Sequence, residues 1–258
     1  MIIKSPIPNK KVADFVQRIL VMENFQVTTL FVLPLYANGT PTLLFQTAKG
    51  KIKGRSNNLT LFGQTVFPET LTLDNDFTLI AYFFKPYSLF TLFGLSAREL
   101  TDNPIDLNLL EPTVTSDLQD RLLNADSTER MITLIDNYIF SLIKKVKTET
   151  QMIKYATKKI TEKPRKRILQ KVQNELYLTE RTFQRMFKKH IGISPDKFRR
   201  ISQFSAAFQQ LQHKQFKHLS DIAYDNGYAD HSHFTRSFRE FTEICPKDYL
   251  NYEIPTGQ

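Results

Sequence analysis

Two stretches decide the fold: Thr179-Glu-Arg-Thr-Phe-Gln-Arg-Met-Phe-Lys-Lys-His-Ile-Gly-Ile-Ser-Pro195 and, 51 residues further on, Asp230-His-Ser-His-Phe-Thr-Arg-Ser-Phe-Arg-Glu-Phe-Thr-Glu-Ile-Cys-Pro246. Laying residues 168–198 onto 219–249 superimposes Tyr177 on Tyr228, Phe183 on Phe234, Arg185 on Arg236, Phe187 on Phe238, Ile193 on Ile244 and Pro195 on Pro246. Similar residues pair as well: Ile168 with Leu219, Val172 with Ala223, Lys188 with Arg239, and Phe198 with Tyr249. A fixed offset with matched caps and aromatics reads as two copies of one supersecondary unit.

Each copy has the layout of a helix-turn-helix. Thr179 and Asp230 are residue types that accept hydrogen bonds from the unpaired amides of a first helical turn. Phe183 and Phe187, like Phe234 and Phe238, stand four apart and share one helix face. The opposite face then presents Arg181, Gln184, Arg185 and Lys188 in copy one, and Ser232, Thr235, Arg236 and Arg239 in copy two. Arg suits guanine, Gln suits adenine, and hydroxyls adapt to either, while Lys and Arg also bind phosphates. Between the copies, Ser194-Pro195 opens a helix carrying Phe198, Ile201, Phe204, Ala207, Phe208 and Leu211. At ~1.5 Å rise it spans roughly 26 Å, a spacer fit to hold two recognition helices near one DNA turn apart, roughly 34 Å.

Charge agrees with that reading. Residues 1–150 hold 15 Lys+Arg and 15 Asp+Glu, so the chain's whole +9 excess falls in residues 151–258. A neutral half joined to a basic one predicts two domains and a polyanionic partner, double-stranded DNA, for the second. Lys188, Lys189 and Arg239 are candidate phosphate contacts, and Lys158, Lys159, Lys163, Arg165, Lys166 and Arg167 form a further basic stretch that a solvated surface also explains. One cysteine, Cys245, excludes an internal disulfide and fits a reducing, cytoplasmic compartment. The longest apolar runs, such as Phe77–Phe84, are too short to span a bilayer, and the N-terminus lacks the apolar core of a signal peptide, so no membrane association is expected.

The first half reads as mixed α/β. Pro8–Leu20, with Val12, Phe15, Val16, Ile19 and Leu20, has the spacing of an amphipathic helix. Strand-like runs follow at Val27–Leu33, Thr42–Thr47, Leu59–Phe62, Leu71–Leu73 and Phe77–Phe84, separated by turn residues, which suggests a small sandwich or barrel. Helices are expected after Pro86 up to Gly94, at Ser116–Leu123 and at Ser127–Val146. In the last, Met131, Leu134, Ile135, Tyr138, Ile139, Leu142 and Val146 form a stripe that packs on its own domain or, through Leu134, Ile135, Ile139 and Leu142, makes a homodimer seam. Every histidine lies at or beyond residue 190, and no nucleophile elbow, phosphate-cradling loop or dinucleotide fingerprint occurs, so no enzyme, metal or cofactor is expected.

With Gly227-Tyr-Ala-Asp-His-Ser-His-Phe-Thr-Arg-Ser-Phe-Arg239 and the closing Pro246 added to Thr179–Pro195, the last hundred residues or so resemble the AraC/XylS class of bacterial transcription regulators. The resemblance implies an α+β chain: an N-terminal β-sandwich or barrel-like domain with helices (1–148), and an all-α DNA-binding domain (149–258). The latter would hold copy one at about 165–192, a linker helix at about 195–213 and copy two at about 219–242. It implies base reading by Arg181, Gln184 and Arg185, and by His231, Ser232, Thr235 and Arg236. Phe84–Asp102 and Phe62-Gly-Gln64 look like sensor-type N-terminal domains of some members, which implies a small-molecule effector, dimerisation or both; RNA polymerase would be a further partner. Departures from the usual pattern are Glu243 in place of Gly, Gln203 in place of an Arg, and Lys171-Val172 in place of Leu-Ala. The rival readings are an architectural DNA binder without base preference, a repair activity at Cys245, and a metal site at Asp230, His231 and His233. The last conflicts with helix geometry, because alternate residues point about 200° apart.

Overall fold

The computed structural model describes residues 1–147 and 150–251; the expected domain boundary at 148–149 lies outside the described residues. The strands are β1 (Ile2–Lys4), β2 (Val16–Asn24), β3 (Phe31–Leu35), β4 (Thr42–Gln46), β5 (Lys51–Ile52), β6 (Arg55–Ser56), β7 (Leu59–Phe62), β8 (Glu69–Leu73), β9 (Phe77–Phe84) and β10 (Ile105–Asp106). They form two antiparallel sheets, β1-β2-β9-β4-β7-β10 and β3-β8-β5-β6. Pro34 is tolerated in β3 because that strand is a sheet edge, where a missing N–H breaks no ladder bond.

The larger sheet is covered on both faces, so β9 reads as an unbroken apolar run, FTLIAYFF. Met22, Leu44, Leu79 and Ala81 meet Ile52, Leu71 and Leu73 of the smaller sheet. Alternate residues, among them Ile19, Val21, Phe45, Ile80, Tyr82 and Phe84, face three helices: α1 (Ser88–Phe93), α2 (Pro112–Leu123) and α3 (Thr128–Lys144). Ser127 caps α3 by accepting from the Arg130 amide.

Two expectations are corrected here. The segment expected as a helix over Pro8–Leu20 is a turn followed by β2. A β-bulge between Val16 and Arg18 puts one extra residue into the strand. Buried Val16 and Ile19 are therefore three apart, and the bulge counterfeits helical spacing in a strand of period two. The proposed seam residues Leu134, Ile135, Ile139 and Leu142 are buried against the larger sheet and cannot meet a second chain. The Tyr82 hydroxyl, donating to Asp136 Oδ1 at 3.0 Å, locks α3 to β9.

The C-terminal part is all helical: α4 (Gln151–Glu162), α5 (Ile168–Glu175), α6 (Glu180–His190), α7 (Pro195–Gln212), α8 (Leu219–Asp225), α9 (His231–Thr242) and α10 (Pro246–Asn251). Thr179, Ser194 and Asp230 cap α6, α7 and α9 as expected. The repeat is real but its offset changes midway. Leu176, Tyr177 and Leu178 donate to the carbonyls of Val172, Asn174 and Gln173; Asn226, Gly227 and Tyr228 donate to those of Ile222, Tyr224 and Ala223. The offset is therefore 50 through the turn and 51 from the caps onward, so copy two carries one extra residue. Tyr177 answers to Gly227, both left-handed at φ 52° and 74°, and not to Tyr228. That explains why Tyr177 is 95% exposed while Tyr228 is buried. Val172 likewise corresponds to Ile222, a core position, and both are fully buried.

The two parts share a close interface. Ala37, Val66 and Tyr87 join the C-terminal core. A Cβ added to Gly192 would lie 2.4 Å from the Ala97 carbonyl oxygen, so only glycine fits this approach, and its φ of 94° needs glycine as well. At the matching point after α9 stands Glu243, left-handed at φ 64°. An L-residue there costs about 1–2 kcal/mol, part of which glycine's greater chain entropy offsets. Glu243→Gly is therefore expected to stabilise the protein by up to ~1 kcal/mol, seen as a rise of a few degrees in Tm; an unchanged or lower Tm would contradict it.

Candidate nucleic-acid interface

In each copy the capped helix turns its aromatic pair inward. Phe183 and Phe187 of α6 lie 5.0 Å apart edge to face, and Phe234 and Phe238 of α9 lie 5.8 Å apart. Burying both pairs leaves the other face of each helix in solvent. On α6, Arg181, Arg185 and Lys188 are exposed and Gln184 is half-buried; among the described residues none of the four side chains is in an ion pair or hydrogen bond. Lys189 diverges from this group: its ammonium lies 4.8 Å from the centre of the Phe90 ring on α1, next to a 4.7 Å contact between Phe90 and His190. Burial and the nearby Lys189 charge push the His190 pKa below its ordinary value, so the ring meets Phe90 in its neutral form.

On α9, His231, Ser232, Arg236 and Arg239 are exposed. Arg236 bends back to its own helix, its Nε donating to the Ser232 carbonyl at 3.4 Å. Thr235 is half-buried and its hydroxyl oxygen is shielded from solvent without a hydrogen-bond partner. His233 belongs to the scaffold: its amide donates to Asp230 Oδ1 at 2.7 Å and its ring packs on Tyr228. Among the described residues, no three His, Cys, Asp or Glu side chains converge on a point that could hold a metal. Cys245 precedes α10, and its thiol donates to Asp248 Oδ2 at 2.9 Å.

What holds α6 and α9 relative to each other is α7. Phe198 packs on Phe187 of copy one at 5.8 Å, while Phe204 meets Phe238 and Phe241 of copy two at 5.7 and 5.0 Å. The buried Arg199 donates to the Pro164 carbonyl and to Gln203 Oε1, and Gln203 Nε2 donates to the Asn226 carbonyl. Glu240 of α9 accepts from Lys197 and Arg200 of α7, and these hydrogen bonds and charges outweigh its partial burial to lower its pKa. Gln203, standing where an arginine was expected, thus bridges the two copies. Sequence reading missed this network because its links between elements span 23 to 43 residues.

A second feature lies between the two parts. A cavity of about 420 Å³ opens between the sheets and reaches α7 and α10. Leu20, Leu35, Leu44, Ala81 and Phe83 line one side; Phe208, Gln209, Gln212 and Tyr249 line the other. Arg18, exposed on β2, is among the residues that line it, with its guanidinium carbon 4.0 Å from the centre of the Phe83 ring, and among the described residues no carboxylate pairs with it.

Comparison with known proteins agrees with this geometry. A helix-turn-helix domain family matches residues 173–252, and a domain family of unknown function matches residues 4–106. An uncharacterized HTH-type transcriptional regulator of Haemophilus influenzae is 32% identical over 92 residues, covering 32% of this chain and 30% of that protein. The HTH-type transcriptional activator RhaS of Escherichia coli O157:H7 is 30% identical over 77 residues, covering 30% of this chain and 27% of RhaS. The chain thus spans under a third of the length of these curated relatives. The fold is that of ToxT from Vibrio cholerae: an apo variant superimposes with a TM-score of 0.52 at 13% identity, over 90% of this chain and 97% of ToxT. A ToxT structure bound to (E)-4-(8-methylnaphthalen-1-yl)but-3-enoic acid gives 0.51 at 15% identity, over 96% and 98%. Among the described residues, no helix is long and apolar enough to cross a membrane.

Exposed Arg185 and Arg236 occupy equivalent positions on the two helices. On a selected DNA site, Arg185→Ala or Arg236→Ala should each cost about 1–3 kcal/mol and relax preference at one base position, whereas Lys188→Ala should weaken all duplexes alike. Binding titrations on matched and base-substituted duplexes read this directly; an equal loss on random DNA would remove the arginine from base reading.

Proposed function

We propose that the chain carries an AraC/XylS-type DNA-binding domain and is a sequence-specific transcription regulator. It inserts α6 and α9 into successive major-groove segments on one face of the duplex. The observation that carries this reading is the pair of capped, solvent-facing, cation-bearing helices held by one rigid helix, α7. In this reading Arg181, Gln184 and Arg185, with His231, Ser232 and Arg236, meet base edges, and Thr235 joins them once its hydroxyl turns outward. Lys188 and Arg239 are the phosphate contacts, and Lys189 serves the N-terminal domain while it stays on Phe90. Selection of bound duplexes from a random library at ~150 mM salt tests the proposal, since specific binding survives salt that removes non-specific binding. A motif with two parts about one helical turn apart is expected; binding without enrichment would favour an architectural role.

The N-terminal domain supplies the effector site in this reading. A cavity whose walls carry a large apolar area, with the unpaired Arg18 guanidinium beside them, favours a ligand with an apolar body and one negative charge. The ToxT ligand named above, a carboxylic acid on an aromatic body, has that chemistry. A carboxylate facing Arg18 gains a charge-assisted hydrogen bond. Arg18→Gln should therefore weaken binding of aryl and alkyl carboxylic acids by at least ~10-fold, as expected for the loss of about 1.5–3 kcal/mol, and leave the matching amides unaffected. Calorimetry on both series decides it; equal losses for acids and amides would contradict a counter-ion role.

A further inference from the structure

The basic stretch before copy one has a definite place in the fold. Lys163-Pro-Arg-Lys-Arg167 joins α4 to α5 and puts four cations into five residues. Lys163, Arg165, Lys166 and Arg167 are all exposed, and among the described residues none forms an ion pair. Nearby Lys158, by contrast, pairs with Glu162.

The segment is anchored. Its Pro164 carbonyl accepts from Arg199 Nη1 at 3.2 Å, and the Arg165 and Ile168 amides close tight turns onto the Lys163 and Arg165 carbonyls. Arg165 lies along the turn of copy two, where a Cβ on Gly227 would be 3.4 Å from Arg165 Cγ and 3.5 Å from its Nε. The same turn is tied to α7 through Gln203 and the Asn226 carbonyl. The entry to copy one and the turn of copy two are therefore stitched together across α7.

This fixes where the cations stand relative to α9. Asp230, the cap of α9, comes three residues after Gly227. At no more than ~3.5 Å per residue, the Arg165 contact lies within roughly 11 Å of the start of α9, the end of a recognition helix that approaches the bases. With α9 in a major groove, as the proposed function has it, the backbone flanking that groove passes beside the segment.

We propose that Lys163, Arg165, Lys166 and Arg167 form a phosphate clamp that grips the DNA backbone between the segments read by α6 and α9. The clamp rests on the reading of the chain as a double-stranded DNA binder. Four like charges held within one turn repel each other, and a row of phosphates relieves that repulsion while releasing counterions. Such contacts carry no base information but fix the register in which both helices meet their bases.

The test uses the full chain and its selected duplex. Lys166→Gln with Arg167→Gln removes two charges and leaves Arg165 on the Gly227 turn; thermal melting checks that the variant is folded. The slope of log K against log salt should flatten by about 0.9 for each lost phosphate contact, with the selected motif unchanged. A duplex with neutral methylphosphonates between the two motif halves should bind wild type less tightly and be indifferent to the variant. A folded variant with the wild-type slope, or a wild type indifferent to the central methylphosphonates, would overturn the clamp and leave a solvated charge run. If wild type shows no salt-sensitive binding to any duplex, the DNA-binding reading itself fails, and that is seen before the variant is compared.

Discussion

The arrangement depends on the burial of aromatic side chains from one helix into two subdomains at once. Phe198 of α7 packs on Phe187, while Phe204 packs on Phe238 and Phe241. Neither helix-turn-helix alone is large enough to bury its own aromatic pair, so each completes its core with α7. The relative placement of α6 and α9 is thereby a packing property and not a linker property. Truncating a fully buried Phe of this kind typically costs about 3–5 kcal/mol, so changing their spacing would require breaking a core. The Arg199–Gln203–Asn226 chain and the Glu240 ion pairs add direction to that packing, because buried polar groups tolerate few alternative partners.

The N-terminal domain reaches the same helix from the other side. Tyr36 meets Phe208 of α7 and Tyr249 of α10 at 5.5 and 6.5 Å, and Gly39 approaches Phe198 and Ile201. The cavity wall is thus shared between the sheets and the helix that sets the two DNA-reading faces. A ligand there contacts both parts, so its affinity and the DNA affinity are linked wherever domain docking differs between the free and bound protein. The hold of Phe90 on Lys189 and His190 at the end of α6 gives that docking a direct grip on the first recognition helix.

Much of this was legible in the sequence where the signal was local. The caps Thr179, Ser194 and Asp230, the buried phenylalanine pairs and the Pro195 helix start all stand where periodicity and capping chemistry put them. Errors arose where one residue was inserted. The bulge at Val16–Arg18 made a strand look helical, and the extra residue in the copy-two turn aligned Tyr177 with Tyr228 when its structural counterpart is Gly227. Periodicity identified the α3 stripe but could not say what covers it, since a sheet and a partner helix accept the same apolar face. The cavity was out of reach because Arg18 and Phe208 share a wall without any local pattern that joins them.

The most direct test of the account is the distance between the two helix-turn-helix copies in solution. Spin labels placed at Gln170 on α5 and Tyr224 on α8, exposed positions of the two copies with no assigned DNA contact, in a chain with Cys245→Ser, report the spacing of the copies by pulsed dipolar spectroscopy. Shared burial on α7 predicts one narrow distance distribution, the same with and without the selected duplex. A broad or two-peaked distribution that narrows only when DNA is added would contradict it, and would mean that the duplex, and not α7, sets the spacing.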